Sequence, residues 1–175
     1  MAKKIKVPAK VRAEVEARLR RLARAGEVFV DGEIFKAILP DPAVNGGDDY
    51  RVDEAKFIPV KQALFKLKRL EPGDCSAQTW RRFRFKDRDG AEKDCAAVVV
   101  PLDPHPKDVK APHPVSPAME EAFQGRTAIE EQEFRGGPIL SVYAPIRDSL
   151  EDVVGVVEVF GSLAPEKSRV DMLDY

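Results

Sequence analysis

The hydrophobic period of this chain changes once, at Glu71-Pro-Gly-Asp74, and that change limits the folds open to it. Before this point apolar residues recur at helical spacing; after it they alternate or run continuously, as strands do. Val11, Val15, Leu19 and Leu22 form a narrow apolar stripe between Pro8, which suits the first position of a helix, and Gly26, which is placed to end it. Val28-Phe-Val30 followed by Asp31-Gly32 reads as a short strand and turn, and a short helix then runs to about Leu39. Residues 41–53 form a polar loop, and Pro59 opens a second long helix with Val60, Ala63, Leu64 and Leu67 on one face.

Beyond Asp74, Thr79–Lys86 alternates, with Arg81, Phe83 and Phe85 on one face and Trp80, Arg82 and Arg84 on the other. Asp87-Arg-Asp-Gly90 is a hairpin turn, because Asp-Gly tolerates positive φ. The return strand, Lys93–Val100, is apolar on both faces beyond Asp94, which predicts a central strand. Six prolines between Pro101 and Pro117 exclude helix and central strand, so a surface connector follows. Ser116-Pro117 starts a short helix ending at Gly125. A polar strand over Arg126–Phe134 turns at Arg135-Gly-Gly-Pro138 into Ile139–Ile146, and a turn at Asp148–Asp152 leads into Val153–Phe160. Five antiparallel strands flanked by helices, one of them long and N-terminal, make an α+β layer architecture. The expected organisation is one domain over 1–175, with a helix at 8–25, a core at 27–161 and a tail at 162–175.

Composition excludes several classes. At 43% hydrophobic and 34% charged, the chain is neither disordered nor membrane-spanning in character, and its longest purely apolar run is Ala96–Val100. With no signal peptide in view, the expectation is a cytoplasmic protein with free thiols at Cys75 and Cys95. The net charge of −1 conceals an asymmetry: residues 1–25 carry +7 and the remainder −8. Such a basic segment suits nucleic acid or an anionic membrane surface. Without interleaved aromatics, a solvated helix face is the simpler account, and no nucleic-acid partner is expected. The thin apolar stripe on this charged helix can cover a sheet or a second copy, so a homodimer through residues 8–25 is an open alternative.

The run Gly136-Gly-Pro-Ile-Leu-Ser-Val-Tyr-Ala-Pro-Ile-Arg-Asp-Ser149, followed by Val153-Val-Gly-Val-Val-Glu-Val-Phe160, resembles the closing hairpin of Cache domains, the PAS-like sensor domains of bacterial receptors. Ala122-Phe-Gln-Gly125 resembles the helix-to-strand entry of that family, and the match extends over residues 118–161. It implies a PAS-like, Cache-like five-stranded antiparallel sheet and a sensing role in signal transduction, with no catalysis. Two features depart from the family: no membrane helices flank the domain, and Leu150-Glu-Asp152 stands where a glycine is common. The family's amino-acid-binding signature is absent as well, Trp80-Arg-Arg82 being a loose echo of it.

No phosphate loop, nucleophile elbow or metalloprotease motif is present, so an enzyme is not expected. The ligand-binding candidates are Trp80, Arg81, Arg82 and Tyr143. A guanidinium forks onto a carboxylate, an indole walls a pocket, and a phenol donates. The expected ligand is thus a small molecule, an organic acid being the leading candidate, and the signal passes to a downstream protein. Glu158, between Val157 and Val159, needs a partner if its strand is internal, and an arginine of 81–84 is the candidate. Glu131 and Glu133 share one strand face that reads as exposed. His105 and His113 sit in the connector, where solvated loop histidines are the simpler account than a metal or haem ligand, and no cofactor is expected. A ligand-free docking module and a haem or gas sensor of the same fold are the rival readings.

Overall fold

The computed structural model describes residues 7–38, 54–71, 73–86, 89–103, 112–134 and 137–164. Three helices, α1 (Ala9–Phe29), α2 (Gly32–Lys36) and α3 (Glu54–Leu70), precede strands β1 (Cys75–Lys86) and β2 (Glu92–Pro101). A two-residue strand β3 (His113–Pro114) and helix α4 (Pro117–Phe123) follow, then β4 (Ala128–Phe134), β5 (Gly137–Arg147) and β6 (Val153–Ser162). The strands form one antiparallel sheet in the order β3-β2-β1-β6-β5-β4. The chain is α+β, and the PAS-like antiparallel sheet with a long N-terminal helix is present, widened by β3.

The sheet has two differently covered faces. On one, Val15, Leu19 and Leu22 of α1, Phe35 of α2 and Val60, Leu64 and Leu67 of α3 pack on Ala77, Leu140, Val142, Val157 and Val159. On the other, Ala118, Met119 and Ala122 of α4 pack on Trp80, Ala96, Val98, Tyr143 and Val156. The helical stripe expected to serve either a sheet or a second copy therefore serves the sheet, where Val15, Leu19 and Leu22 are buried and Val11 is partly so. Local chemistry starts the short helices: the Asp31 carboxylate accepts from the amides of Glu33 and Ile34, and Ser116 Oγ accepts from Met119 N at 3.2 Å.

Gly26 does not end α1, which runs on to Phe29, so Val28-Phe-Val30 is not a strand. Gly26 is instead a packing glycine: a Cβ there would lie 3.0 Å from Val157 Cγ1, so its absence lets α1 settle on β6. Pro59 lies inside α3, not at its start. β2 is an inner strand between β1 and the two-residue β3, and so stands second in the sheet order. Its apolar character on both faces reflects cover on both faces of the sheet. At the irregularity in the β1–β2 pairing, Thr79 Oγ1 accepts from Val100 N at 3.0 Å and repairs the ladder. The polar loop 41–53 and the tail beyond Ala164 lie outside the described residues. No described helix is long and apolar enough to cross a membrane.

The β5–β6 turn is clasped to α2. Glu33 accepts from both the amide and the hydroxyl of Ser149, and Lys36 Nζ meets Asp148 at 2.9 Å. Lys36 and Ser149 hold the Glu33 carboxyl down to about 2. A carboxylate depressed in the folded state contributes stability above its unfolded pKa and loses it as pH falls through the folded one. A carbon-detected NMR titration should therefore show the Glu33 carboxyl titrating near 2; a midpoint at an ordinary glutamate value would mean that the clasp does not form. A Cβ at Gly32 would overlap the carbonyl of Arg147, which is backbone and cannot yield. Gly32→Ala should cost about 1–3 kcal/mol in urea denaturation. Leu19→Asp, at a position fully buried against the sheet, should unfold the chain rather than change its mass in light scattering.

Candidate functional site

On the α4 side of the sheet, alternation places Gln78 of β1, Glu158 of β6 and Tyr143 of β5 in one row, because they are register partners across the ladder. Glu158 is 3% exposed. Its carboxylate accepts from Trp80 Nε1, Gln78 Nε2 and Ser141 Oγ, each at 2.7 Å. All three donors are neutral, and Glu158 has no cation partner among the described residues. The arginine expected for Glu158 is thus replaced by an indole, an amide and a hydroxyl. The arrangement is physically sound, because several well-placed donors stabilise a buried carboxylate.

A second polar chain continues from this row. Gln132 Nε2 donates to Tyr143 Oη at 2.6 Å and to Glu130 Oε2 at 3.0 Å, and Ser116 Oγ at the start of α4 donates to the same Glu130 oxygen at 2.8 Å. Burial pushes the Tyr143 phenol well above its usual range, and the nearby Glu158 and Glu130 carboxylates push it further. The phenol is therefore a fixed neutral group and no source of protons near neutral pH. Glu131 and Glu133 point the other way and are exposed, as their alternation implies, with Glu131 meeting Arg12 of α1 at 3.4 Å.

His113 is not a solvated loop residue. It pairs with Ala96 in β3, and its ring stands edge-on to Trp80 at 5.3 Å and 90°. Its Nε2 is buried and has no hydrogen-bond partner among the described residues. His105 lies outside the described residues.

The four sequence candidates do not converge. Trp80 and Tyr143 share the α4 side, and Trp80 is bound to Glu158. Arg82 faces the same way but is already engaged: it forks onto Asp94 and meets Glu120 of α4 at 2.9 Å. Asp94 and then Glu120 raise its pKa. Arg81 projects to the opposite face, over the Phe35 ring, and donates to the carbonyls of Phe35 and Ile38, the latter at 2.6 Å. It ties β1 to the end of α2 and does not reach the row around Glu158. Sequence reasoning missed Gln78, Ser141, Gln132 and Ser116. Their signal was alternation alone: Gln78 and Ser141 each lie two steps along the strand from Trp80 and Tyr143, and Gln132 lies one step from the exposed Glu131 and Glu133, hence on the opposite face.

No family model matches this chain, and no curated protein matches it. Among solved structures it is similar to a methyl-accepting chemotaxis protein X, at 14% identity and a TM-score of 0.46, over 88% of this chain and 58% of that one. It is also similar to the periplasmic sensory domain of the Campylobacter jejuni chemoreceptor Tlp1, at 9% identity and a TM-score of 0.42, over 95% of this chain and 57% of that one. The chain spans less than two thirds of either. These likenesses concern the fold, and they correct the cytoplasmic expectation: a protein similar to this one is a periplasmic domain, and a missing apolar span in 175 residues does not place a chain in the cytoplasm.

Replacing Glu158 by Gln puts an amide NH2 against donors that need an acceptor. Glu158→Gln should lower stability by about 1–3 kcal/mol in urea, and Ser141→Ala by about 1 kcal/mol. A Glu158→Gln variant as stable as the parent would show that the charge is not held there.

Proposed function

We propose that the chain is a non-catalytic sensory module, one domain over its length, that binds a small molecule between its sheet and α4 and passes occupancy to a downstream protein. The observation that carries this reading is Glu158: a buried carboxylate held only by neutral donors, between the aromatic walls of Trp80 and Tyr143. A buried charge without a counter-ion is costly, so its retention in a central strand argues for a role beyond stability. The same geometry changes the preferred ligand. Arg82 on that face is taken by Asp94 and Glu120, while the Glu130 and Glu158 carboxylates lie within the layer. A ligand bearing a protonated amine or a cluster of hydrogen-bond donors suits this face better than an organic acid.

Trp80 and Arg81 are consecutive residues that face opposite ways, one bonded to Glu158 and the other to the end of α2. A ligand that draws Trp80 from Glu158 therefore acts on the strand that anchors α2. Trp80 is also the single tryptophan, so its emission reports on the site without labelling. A thermal-shift screen of amines, amino acids and carboxylates tests the reading. A ligand at about 100 times its dissociation constant should add about 2.7 kcal/mol, on the order of 5–10 °C for a domain of this size. Hits among amines that also shift Trp80 emission, and are lost in Glu158→Gln, support it. Amines that leave melting and emission unchanged, or hits confined to carboxylates, count against it.

A further inference from the structure

The outer surface of the helical layer is charged against the balance of the whole chain. α3 carries five Lys and Arg against one Glu, and α1 carries six against three, in a protein whose net charge is −1. The two helices lie antiparallel: Arg21 bonds Glu71, just past α3, and Gly26 abuts Leu67. The end of α1 thus lies along the end of α3, and Arg24 of α1 with Lys66, Lys68 and Arg69 of α3 are all exposed, Lys68 meeting Asp103 at 3.8 Å. Arg24, Lys66 and Arg69 have no carboxylate partner among the described residues. Apolar side chains stand out among these cations: Ile58 at 47% exposure, Phe65 at 44% and Leu70 at 51% on α3, with Val28 at 79% near the end of α1.

From this surface we infer that the α1–α3 layer docks on an anionic lipid surface. Charge complementarity sets the sign of the partner, and the spacing of the apolar groups sets its kind. A partner helix is held by a continuous seam at i, i+3, i+4 and i+7. The outward line of α3 instead offers Ile58 and Phe65 two turns apart, with the exposed Gln62 between them. Single apolar chains among cations suit headgroups, where no seam is needed: the cations meet phosphates and each apolar chain enters the acyl boundary alone. The inner faces of both helices are already buried on the sheet, so the layer presents its outer face without unfolding. The contact is independent of the ligand reading, because it uses the opposite side of the sheet from Glu158.

Sedimentation of the full chain with vesicles tests this. It should bind vesicles of phosphatidylcholine mixed with phosphatidylglycerol and ignore phosphatidylcholine alone. Binding should weaken steeply towards 1 M salt, where the Debye length falls to about 3 Å. Lys66→Glu combined with Arg69→Glu should lower partitioning by at least about tenfold. Phe65→Ser should lower it more modestly, and in both variants the melting temperature should stay near that of the parent, since these side chains are exposed. Binding that ignores the charge reversal, or no binding to the anionic vesicles, would overturn the proposal. Retention on an immobilised poly-glutamate peptide with no vesicle binding would make this a protein-docking face and equally overturn it.

Discussion

Strands apolar on both sides must be covered twice, and this requirement organises the molecule. β6 buries Val157 and Val159 on one face and Val156 and Glu158 on the other. The N-terminal helices answer the first face and α4 the second. The fit is close where backbones approach: Gly155 meets Phe35 and Gly26 meets Val157, so any side chain at either position would push a helix from the sheet. The helices are thus selected by what the sheet leaves open, and the sheet is stable only because they are there.

Within that double cover Thr79, Ser141 and Glu158 are the buried polar groups among the described residues, and Glu158 alone of them is ionisable. Glu158 is buried in an inner strand with an indole, an amide and a hydroxyl as donors. Hydrogen bonds to neutral groups offset part of the desolvation cost without the second desolvated ion that an arginine would bring. The choice also leaves the negative charge in place, which distinguishes the α4 face from the helical one. The two faces therefore have opposite electrostatic character, carboxylates beneath α4 and an excess of cations over α1 and α3.

Much of the fold was legible from residues close together in sequence. The capping of α4 by Ser116, the apolar stripes of α1 and α3, the β1–β2 hairpin and the β4–β5–β6 meander all follow from spacing and turn chemistry. The errors have one cause. Gly26 looks like a helix end because glycine is unfavourable inside a helix, yet close packing on β6 requires it there. Pro59 looks like a first-turn residue, but α3 begins five residues earlier. In each case a local rule met a tertiary reason stronger than the local preference.

The candidate site shows the same division more sharply. Alternation along β1 correctly separated Trp80 and Arg82 from Arg81, and the need of Glu158 for a partner was legible on the condition that its strand is internal. The pairings were not legible: Gln78 and Trp80 lie about eighty residues from Glu158, and His113 reaches Trp80 from a connector read as solvated. The sequence by itself determined the elements, their order and which residues share a face, because period and turn chemistry depend on neighbours along the chain. Only the tertiary structure decided which groups meet, because strand register and helix placement join residues that no local pattern connects.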